Sequence, residues 1–232
     1  MLIRTILFFW AIAAAFNAQS QAASDSIHIT FQLQYKGRAV ELNTPLKLPN
    51  GNTLQIHTLR FYLSRFIFLK NETMVWEEPY SYHLLDLEEK NTLHWRLPSN
   101  RKLQANQLQF HLGIDSLTNV SGALGGDLDP TKGMFWTWQS GYINLKMEGV
   151  CDQCATKDHS FQLHLGGYQG PHAALQTLRF PLPEGKNLKL TLDLAFFLET
   201  ADWTKKCNIM SPGAEAVAWS RALANCFSLH AE

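Results

Sequence analysis

The sequence is short of the features that mark several large classes of protein. After residue 23 no run of about 18 uncharged apolar residues occurs, which argues against a membrane-spanning helix. The 20 basic and 20 acidic residues balance without blocks of one sign, so neither nucleic acid nor an anionic membrane is an expected partner. Gly-x-Ser-x-Gly, His-Glu-x-x-His and phosphate-binding glycine motifs are missing. We therefore expect a protein that is not an enzyme.

The first 23 residues have the pattern of a secretory signal peptide. Arg4 precedes an apolar run from Ile6 to Phe16, and a polar stretch then ends in small residues at Ala22 and Ala23. The run is shorter than a membrane span requires. We predict a signal peptide at 1–23, export to the periplasm, and a single domain over 24–232.

Cysteine is scarce, with four residues in the chain. An exported protein meets an oxidising compartment, and four thiols allow three pairings. We favour Cys151–Cys154 and Cys207–Cys226 because both pairs are local in sequence. A four-cysteine zinc site is disfavoured because a second close pair is missing.

Alternation with a period of two dominates from Ile27 to about Leu198 and predicts an antiparallel all-β fold, most simply a β-sandwich. The predicted strands are the run from Ile27 to Tyr35, Leu54–Leu69, Ser81–Leu87, Gln107–Leu112, Tyr142–Glu148, Ser160–Leu165, Gln176–Leu182 and Asn187–Leu194. The tail changes to helical spacing. Ser211 and Pro212 resemble a helix start, which predicts a short C-terminal helix over about 212–227.

Histidine is the candidate metal ligand, because imidazole binds copper and zinc. No pair of histidines has a recognised ligand spacing, and a single histidine is usually structural. His164 is the first candidate, because Gly166 and Gly167 follow it at a predicted strand end and allow close approach. His111 precedes a glycine in the same way, and His57 is a further candidate.

Residues 113–142 are dense in glycine, acid and aromatic side chains, which predicts an ordered segment that carries a site. Asp127 and Asp129 stand two residues apart, a spacing that suits a hard cation, with Asp115 nearby. We prefer an Asp-Pro turn, because the terminal bidentate acid of a calcium loop is missing. Trp136 and Trp138 share a face if the chain is extended. Composition favours the core for them, and an oxidisable position near a redox-active metal is the alternative.

Several ordered motifs together resemble the MbnP-like proteins, the methanobactin-associated periplasmic copper-binding family. The resemblance spans nearly all of residues 24–232 and rests on Thr58–Ser64, Leu84–Leu87, Met134–Tyr142, Phe161–Gly166 and Ile209–Gly213. It implies an exported β-sandwich that binds copper and has a di-haem cytochrome c peroxidase-like partner of the MauG type. In some members that partner oxidises a tryptophan to kynurenine.

The resemblance transfers to individual residues only in part. His164 matches the family's His-Leu-Gly position, and Trp95, Trp136 and Trp138 are the tryptophans that a partner would oxidise. Leu117-Thr-Asn119 stands where many members have Leu-Asn-His, and no Trp-x-His occurs. Copper binding at His164, with His111 and His57 as secondary ligands, is the leading hypothesis. The alternative is a metal-free binding module that uses the aromatic segment 113–142.

Overall fold

The computed structural model describes residues 26–98, 104–138 and 141–232, so the predicted signal peptide lies outside the described residues. The strands are β1 (Ser26–Tyr35), β2 (Arg38–Ala39), β3 (Leu46–Lys47), β4 (Thr53–Lys70), β5 (Thr73–Glu77), β6 (Tyr82–Asp86), β7 (His94–Pro98), β8 (Gln107–Leu112), β9 (Phe135–Trp136), β10 (Gly141–Cys151), β11 (Ser160–Gly166), β12 (Gln176–Pro181), β13 (Asn187–Asp193), β14 (Asn208–Ile209) and β15 (Phe227–Ala231). The helices are α1 (Ser116–Val120), α2 (Ala195–Thr200) and α3 (Ala214–Ala224).

These strands form two sheets, which confirms the predicted all-β sandwich. In the described part of the chain, the smaller sheet has the order β15-β13-β1-β2 with β7 also paired to β1. The larger has the order β12-β8-β4-β10-β11-β14, with β3, β5 and β6 paired to β4 and β9 paired to β10. The expectation of purely antiparallel pairing is wrong, because β1 runs parallel to β13 and β11 runs parallel to β14.

The long strand β4 organises the larger sheet and contains two β-bulges. Against β10, Thr58 lies opposite Glu148 but Ile56 lies opposite Gly149, which leaves His57 as the extra residue. Against β8 a second register shift falls between Ser64 and Ile67. An extra residue reverses which alternate positions face each side of the sheet. The β4 side chains that enter the main core are accordingly even-numbered, then odd-numbered, then even-numbered: Leu54 and Ile56, then Leu59, Phe61 and Leu63, then Phe66 and Phe68.

The interior between the two sheets is the main hydrophobic core. Phe61 from the larger sheet packs edge-on against Phe31, with ring centroids 5.1 Å apart, and against Phe227 at 6.0 Å. All three side chains are buried, and each stabilises the fold by about 1.5–3 kcal/mol relative to an exposed position. The alternating apolar residues of the sequence therefore meet here as expected.

The outer face of the larger sheet is covered by residues 113–138, called the roof segment below. It contains α1, β9 and short 3-10 turns at Gly126–Leu128 and Pro130–Lys132. Its side chains Ile114, Leu128, Met134 and Trp136 form a second buried cluster with Tyr62 and Tyr142 of the sheet. The prediction that this stretch is ordered is confirmed for the roof segment. The larger sheet is thus packed on both faces.

The predicted C-terminal helix exists, but it is shorter than 212–227. It spans Ala214–Ala224, with Gly213 as its N-cap residue, and Phe227 already begins β15. Ser211 therefore does not cap the helix. In the described part of the chain no helix is long and apolar enough to cross a membrane.

The predicted disulfide pairing is wrong, because Cys154 is bonded to Cys207 while Cys151 and Cys226 are free and buried. Parallel pairing explains the difference. The Cys207 carbonyl accepts the Gln162 N–H at 2.7 Å, which holds Cys207 beside β11. Cys226 instead follows α3, where its carbonyl accepts the Asp193 N–H at 3.0 Å. The prediction relied on proximity in sequence, which does not show that β14 pairs with β11.

Candidate functional site

His164 lies on β11 and points to the outer face of the larger sheet. It pairs with Lys146 of β10, which in turn pairs with Arg60 of β4. The side chain is buried, and its Nε2 lies 2.6 Å from Oε1 of Glu148. Burial lowers the pKa of His164, the Glu148 hydrogen bond opposes that shift, and the charge of Lys146 adds to the lowering. The imidazole is therefore favoured in its neutral form.

The contact with Glu148 selects one tautomer of the neutral ring. A carboxylate accepts hydrogen bonds, so the proton of His164 resides on Nε2 and donates to Glu148. The lone pair then lies on Nδ1. A carboxylate that holds the opposite nitrogen of a histidine is the usual support for a metal-binding imidazole. Chemically, the pair can offer Nδ1 as a ligand while Glu148 fixes the ring orientation.

His57 is one of the two secondary predicted ligands, and it lies on β4, which pairs with the strand that carries Glu148. It is exposed, and it is the extra residue of the bulge that faces the Glu148 and Gly149 positions of β10. β4 and β11 are the two neighbours of β10 in the sheet. His57 and His164 therefore flank Glu148 from opposite sides.

His111 does not belong to this group. It lies on β8 opposite Ser64 of β4, whereas His164 aligns through Lys146 with Arg60. Three strand spacings separate β8 from β11, which is roughly 14 Å, and the four-residue offset along β4 adds about 13 Å in the perpendicular direction. His111 and His164 consequently cannot share one metal ion.

The donor set at His164 fits copper chemically but is incomplete. Imidazole nitrogen suits copper, and a lowered pKa helps because the ligand must be unprotonated. Within residues 26–98, 104–138 and 141–232, no three His, Cys, Asp or Glu side chains are grouped as a metal site. The structure thus presents one supported imidazole rather than a closed ligand cage.

Two of the predicted tryptophans lie near the end of β11. The Trp136 ring packs so closely on Gly166, two residues after His164, that a β-carbon there would lie 2.7 Å from Cζ3. Trp136 is buried, whereas Trp138 is 64% exposed, and their ring centroids are 5.9 Å apart. An exposed indole is thus in contact with a buried one beside the His164 strand.

Trp95 lies elsewhere, on β7 of the smaller sheet. Its ring centroid is 5.7 Å from that of His83 and 5.8 Å from that of Phe66. The indole Nε1 is buried without a hydrogen-bond partner among the described residues. His83 in turn contacts Glu78 at 2.8 Å. Trp95 is therefore separate from the His164 face.

The three aspartates of the roof segment are not gathered into a cation-binding loop. Asp115 caps α1, accepting the Thr118 N–H at 2.9 Å. Asp129 accepts the Thr131 N–H at 2.8 Å, which lowers the pKa of Asp129. Asp127 pairs with Lys132 at 2.7 Å. These contacts favour the turn interpretation, in which short polar side chains bond the nearby backbone.

Sequence reasoning missed the groups that support the site, Glu148 above all. The only signal was an acid at an outward position of a strand otherwise rich in buried residues. Asn119 was also missed: its amide donates to the Ile114 and Asp115 carbonyls and its Oδ1 accepts the Tyr142 N–H at 2.8 Å. Asn119 therefore ties the start of the roof segment to β10.

These features define a β-sandwich whose larger sheet carries a roofed outer face with a carboxylate-supported histidine. The MbnP family model matches residues 24–211, so the chain belongs to the MbnP family, a family of secreted or periplasmic, methanobactin-associated proteins. Among solved structures, MbnP from Methylosinus trichosporium is similar, with a TM-score of 0.61 and 15% identity over 88% of this chain and 97% of that one. No curated protein matches the sequence. At that identity the structural likeness supports the shared fold.

Proposed function

We propose that this protein is an exported copper-binding protein, located in the periplasm, that is not itself an enzyme. The observation that carries the proposal is the buried His164 imidazole held 2.6 Å from Glu148. A neutral ring with a fixed tautomer binds a metal ion without first losing a proton. Family membership supports the same assignment.

The residue that would hold copper is His164, through Nδ1. His57 lies beyond Glu148, on the side that Nε2 of His164 already faces, so it is not part of the proposed ligand set. Glu148 acts as the positioning carboxylate. Bound copper would supply a redox-active centre on the outer face of the sheet. His111 is too distant to join this site and is not part of the proposed ligand set.

We also propose that a di-haem cytochrome c peroxidase-like enzyme of the MauG type is the partner and that it oxidises a tryptophan. Of the three candidates, Trp138 is the exposed one, and it contacts the buried Trp136 at a centroid distance of 5.9 Å. Trp136 lies beside the end of the His164 strand. Trp95 is half-buried in another part of the sandwich and is the weaker candidate.

Copper titration of three variants tests the ligand assignment. His164→Ala is expected to weaken copper binding by at least about tenfold, and Glu148→Gln by about 10–100-fold, the usual effect of removing a supporting partner. His230→Ala is the matched control, because His230 is exposed on β15 of the smaller sheet. Melting temperatures without copper verify that each variant folds. Unchanged copper affinity in His164→Ala would contradict the proposal.

Intact mass spectrometry tests the partner. Protein produced together with the di-haem enzyme is expected to carry the mass change of tryptophan oxidation, and Trp138→Phe is expected to abolish or greatly reduce it. Trp76→Phe, which alters a half-buried tryptophan of β5, serves as the control. Modification that persists in Trp138→Phe would move the assignment to Trp136 or Trp95.

A metal-free binding module is the second candidate, favoured by the exposed apolar side chains of the roof segment. Leu117 and Val120 lie one helical turn apart on α1 and are 77% and 70% exposed. Contiguous exposed apolar surface marks interaction sites. Wild-type protein that binds no copper, but loses binding to its partner in Leu117→Ser/Val120→Ser, would favour this candidate over copper binding.

A further inference from the structure

A cleft opens between the connection from β5 to β6 and helix α1, on the same face as the roof segment but away from His164. Its volume is about 480 Å³, within the range of about 300–1,000 Å³ typical of ligand sites. Its charged and exposed lining side chains are Arg65, Glu77, Glu78, Tyr80, Asp115 and Leu117. The proposed copper site uses none of them.

The charges in the cleft favour a cationic occupant. Three carboxylates, from Glu77, Glu78 and Asp115, face a single guanidinium from Arg65. Arg65 Nε is already paired with Glu77 Oε1 at 2.9 Å. Glu78 bonds His83, and Asp115 bonds Thr118, yet each ionised carboxylate offers about four acceptor positions. Acceptor capacity for another cation therefore remains.

A buried histidine with an unused nitrogen lies next to the residues that line the cleft. His111 lies directly across from Ser64, which lines the cleft, and it interacts electrostatically with Arg65, Asp115 and Glu77. The side chain is 7% exposed, and its Nδ1 has no hydrogen-bond partner in the described part of the chain. Burial and the nearby Arg65 lower the pKa of His111, which favours the neutral ring. A neutral imidazole at this place adds no positive charge that would oppose a cation in the cleft.

The mouth of the cleft is apolar and unusually exposed. Tyr80 is 95% exposed and has a φ of +52°, a conformation that non-glycine residues adopt infrequently. Leu117, on the opposite side, is 77% exposed. Aromatic and aliphatic groups around a polar pocket are typical of contact surfaces between proteins, where tyrosine and arginine concentrate the binding energy.

We propose that this cleft binds an arginine side chain of a partner protein. The planar guanidinium matches paired carboxylate acceptors and stacks on tyrosine, which an ammonium group does less well. Tyr80 and Leu117 would contact the residues that flank the arginine. The proposal is independent of copper binding, since its residues and its part of the outer face are separate from His164.

Calorimetric titration with short peptides tests the proposal on the full chain. The probes are acetyl-Leu-Arg-Leu-amide, the same peptide with citrulline in place of arginine, and acetyl-arginine-amide. Citrulline keeps the shape of arginine and removes its charge. The arginine peptide is expected to bind at least about tenfold more tightly than the citrulline peptide, because charge-assisted hydrogen bonds are about twice as strong as neutral ones.

Two variants locate the binding. Glu78→Gln is expected to weaken binding of the arginine peptide by about tenfold. Glu184→Gln, which alters an acid between β12 and β13, is expected to leave that affinity unchanged. Tyr80→Ser alters a fully exposed side chain that the fold does not need, so it remains informative if Glu78→Gln is unstable. Tyr80→Ser should weaken binding of the tripeptide more than binding of acetyl-arginine-amide.

Three outcomes would overturn the proposal. Equal binding of the arginine and citrulline peptides would show that charge is not recognised. Peptide affinity unchanged in both Glu78→Gln and Tyr80→Ser would place binding elsewhere. Acetyl-arginine-amide binding as tightly as the tripeptide would identify a site for a small free cation rather than a protein side chain.

Discussion

The two faces of the larger sheet are built from the same strands but are packed differently. The inner face is a continuous apolar layer against the smaller sheet, with Phe61, Leu145 and Leu163 fully buried. The outer face combines the aromatic cluster around Tyr62 and Tyr142 with charged and imidazole side chains. The inner face supplies general stability, whereas the outer face holds groups of specified protonation and orientation.

Hydrogen bonds from the sheet to the roof segment account for this difference. The Ser64 hydroxyl donates to the Gly113 carbonyl at 2.6 Å, and the Asn144 Oδ1 accepts the Ile114 N–H at 3.0 Å, both in buried positions. Polar groups buried under a covering segment are costly unless they are bonded, so such a face tolerates few arrangements. The polar side of this sheet is therefore constrained as tightly as its apolar side, but by directional contacts.

The largest expected effect concerns the disulfide, which belongs to the inner core. Cys154→Ala/Cys207→Ala opens a link between residues 53 apart in sequence, and loop-closure entropy predicts a loss of about 4 kcal/mol in the free energy of unfolding. Urea unfolding measures it. Copper binding on the outer face is expected to persist in this variant as long as the domain is folded.

The control for this experiment removes the other two cysteines. Cys151→Ala/Cys226→Ala keeps the observed disulfide and deletes only two buried thiols, so it is expected to be clearly more stable than the first variant. If the cysteines were instead paired locally, as sequence spacing favoured, each of the two variants would lose both disulfides. Equal destabilisation of the two variants would contradict Cys154–Cys207 pairing.

The inner face was predictable from sequence, because alternation of apolar residues is a local signal. Gln107–Leu112 matches its predicted strand at both ends, and Ser160–Leu165 is one residue short. Sheet topology was less accessible. The parallel pairs β1–β13 and β11–β14 join segments that are far apart in sequence. Strand β14 has only two residues, which is too short for a periodic pattern to predict it.

On the outer face, the sequence predicted individual candidate residues but not how they are arranged. His164, His111 and Trp136 have local signals, namely glycines at a strand end and an aromatic-rich segment. Their surroundings depend on register: the bulge at His57 determines that this residue flanks Glu148, and three intervening strand spacings separate His111 from His164. A one-residue change of register reverses faces, so spacing alone does not assemble a ligand set.

A smaller effect is expected from Tyr142→Phe, which acts on the outer face alone. The Tyr142 hydroxyl accepts the Leu124 N–H at 3.0 Å and donates to the Leu128 carbonyl at 3.1 Å. Removing it leaves both groups without that partner and is expected to cost about 1–3 kcal/mol. Hydrogen exchange should accelerate in the roof segment before it changes in β4 or β10.

Tyr35→Phe is the matched control for that experiment. The Tyr35 hydroxyl bonds Glu199 at 2.9 Å in an exposed position, so its loss is expected to change stability by less than about 0.5 kcal/mol. If exchange accelerates equally across both sheets in Tyr142→Phe, the roof segment unfolds together with the sandwich, and the two faces are one cooperative unit.

The smallest effect is a dependence of stability on pH that comes from the outer face. Because the pKa of His111 is lowered in the folded protein, the unfolded chain binds a proton that the folded chain does not as pH falls below about 6.5. Stability is therefore retained above that pH and declines as pH falls towards the folded pKa. His111→Gln should flatten the decline measured by urea unfolding between about pH 7.5 and 5.5, whereas His230→Gln, which alters an exposed histidine, should not. A decline of the same steepness in wild type and His111→Gln would mean that folding does not lower the pKa of His111, so that its ring gains a proton in the same pH range as in the unfolded chain.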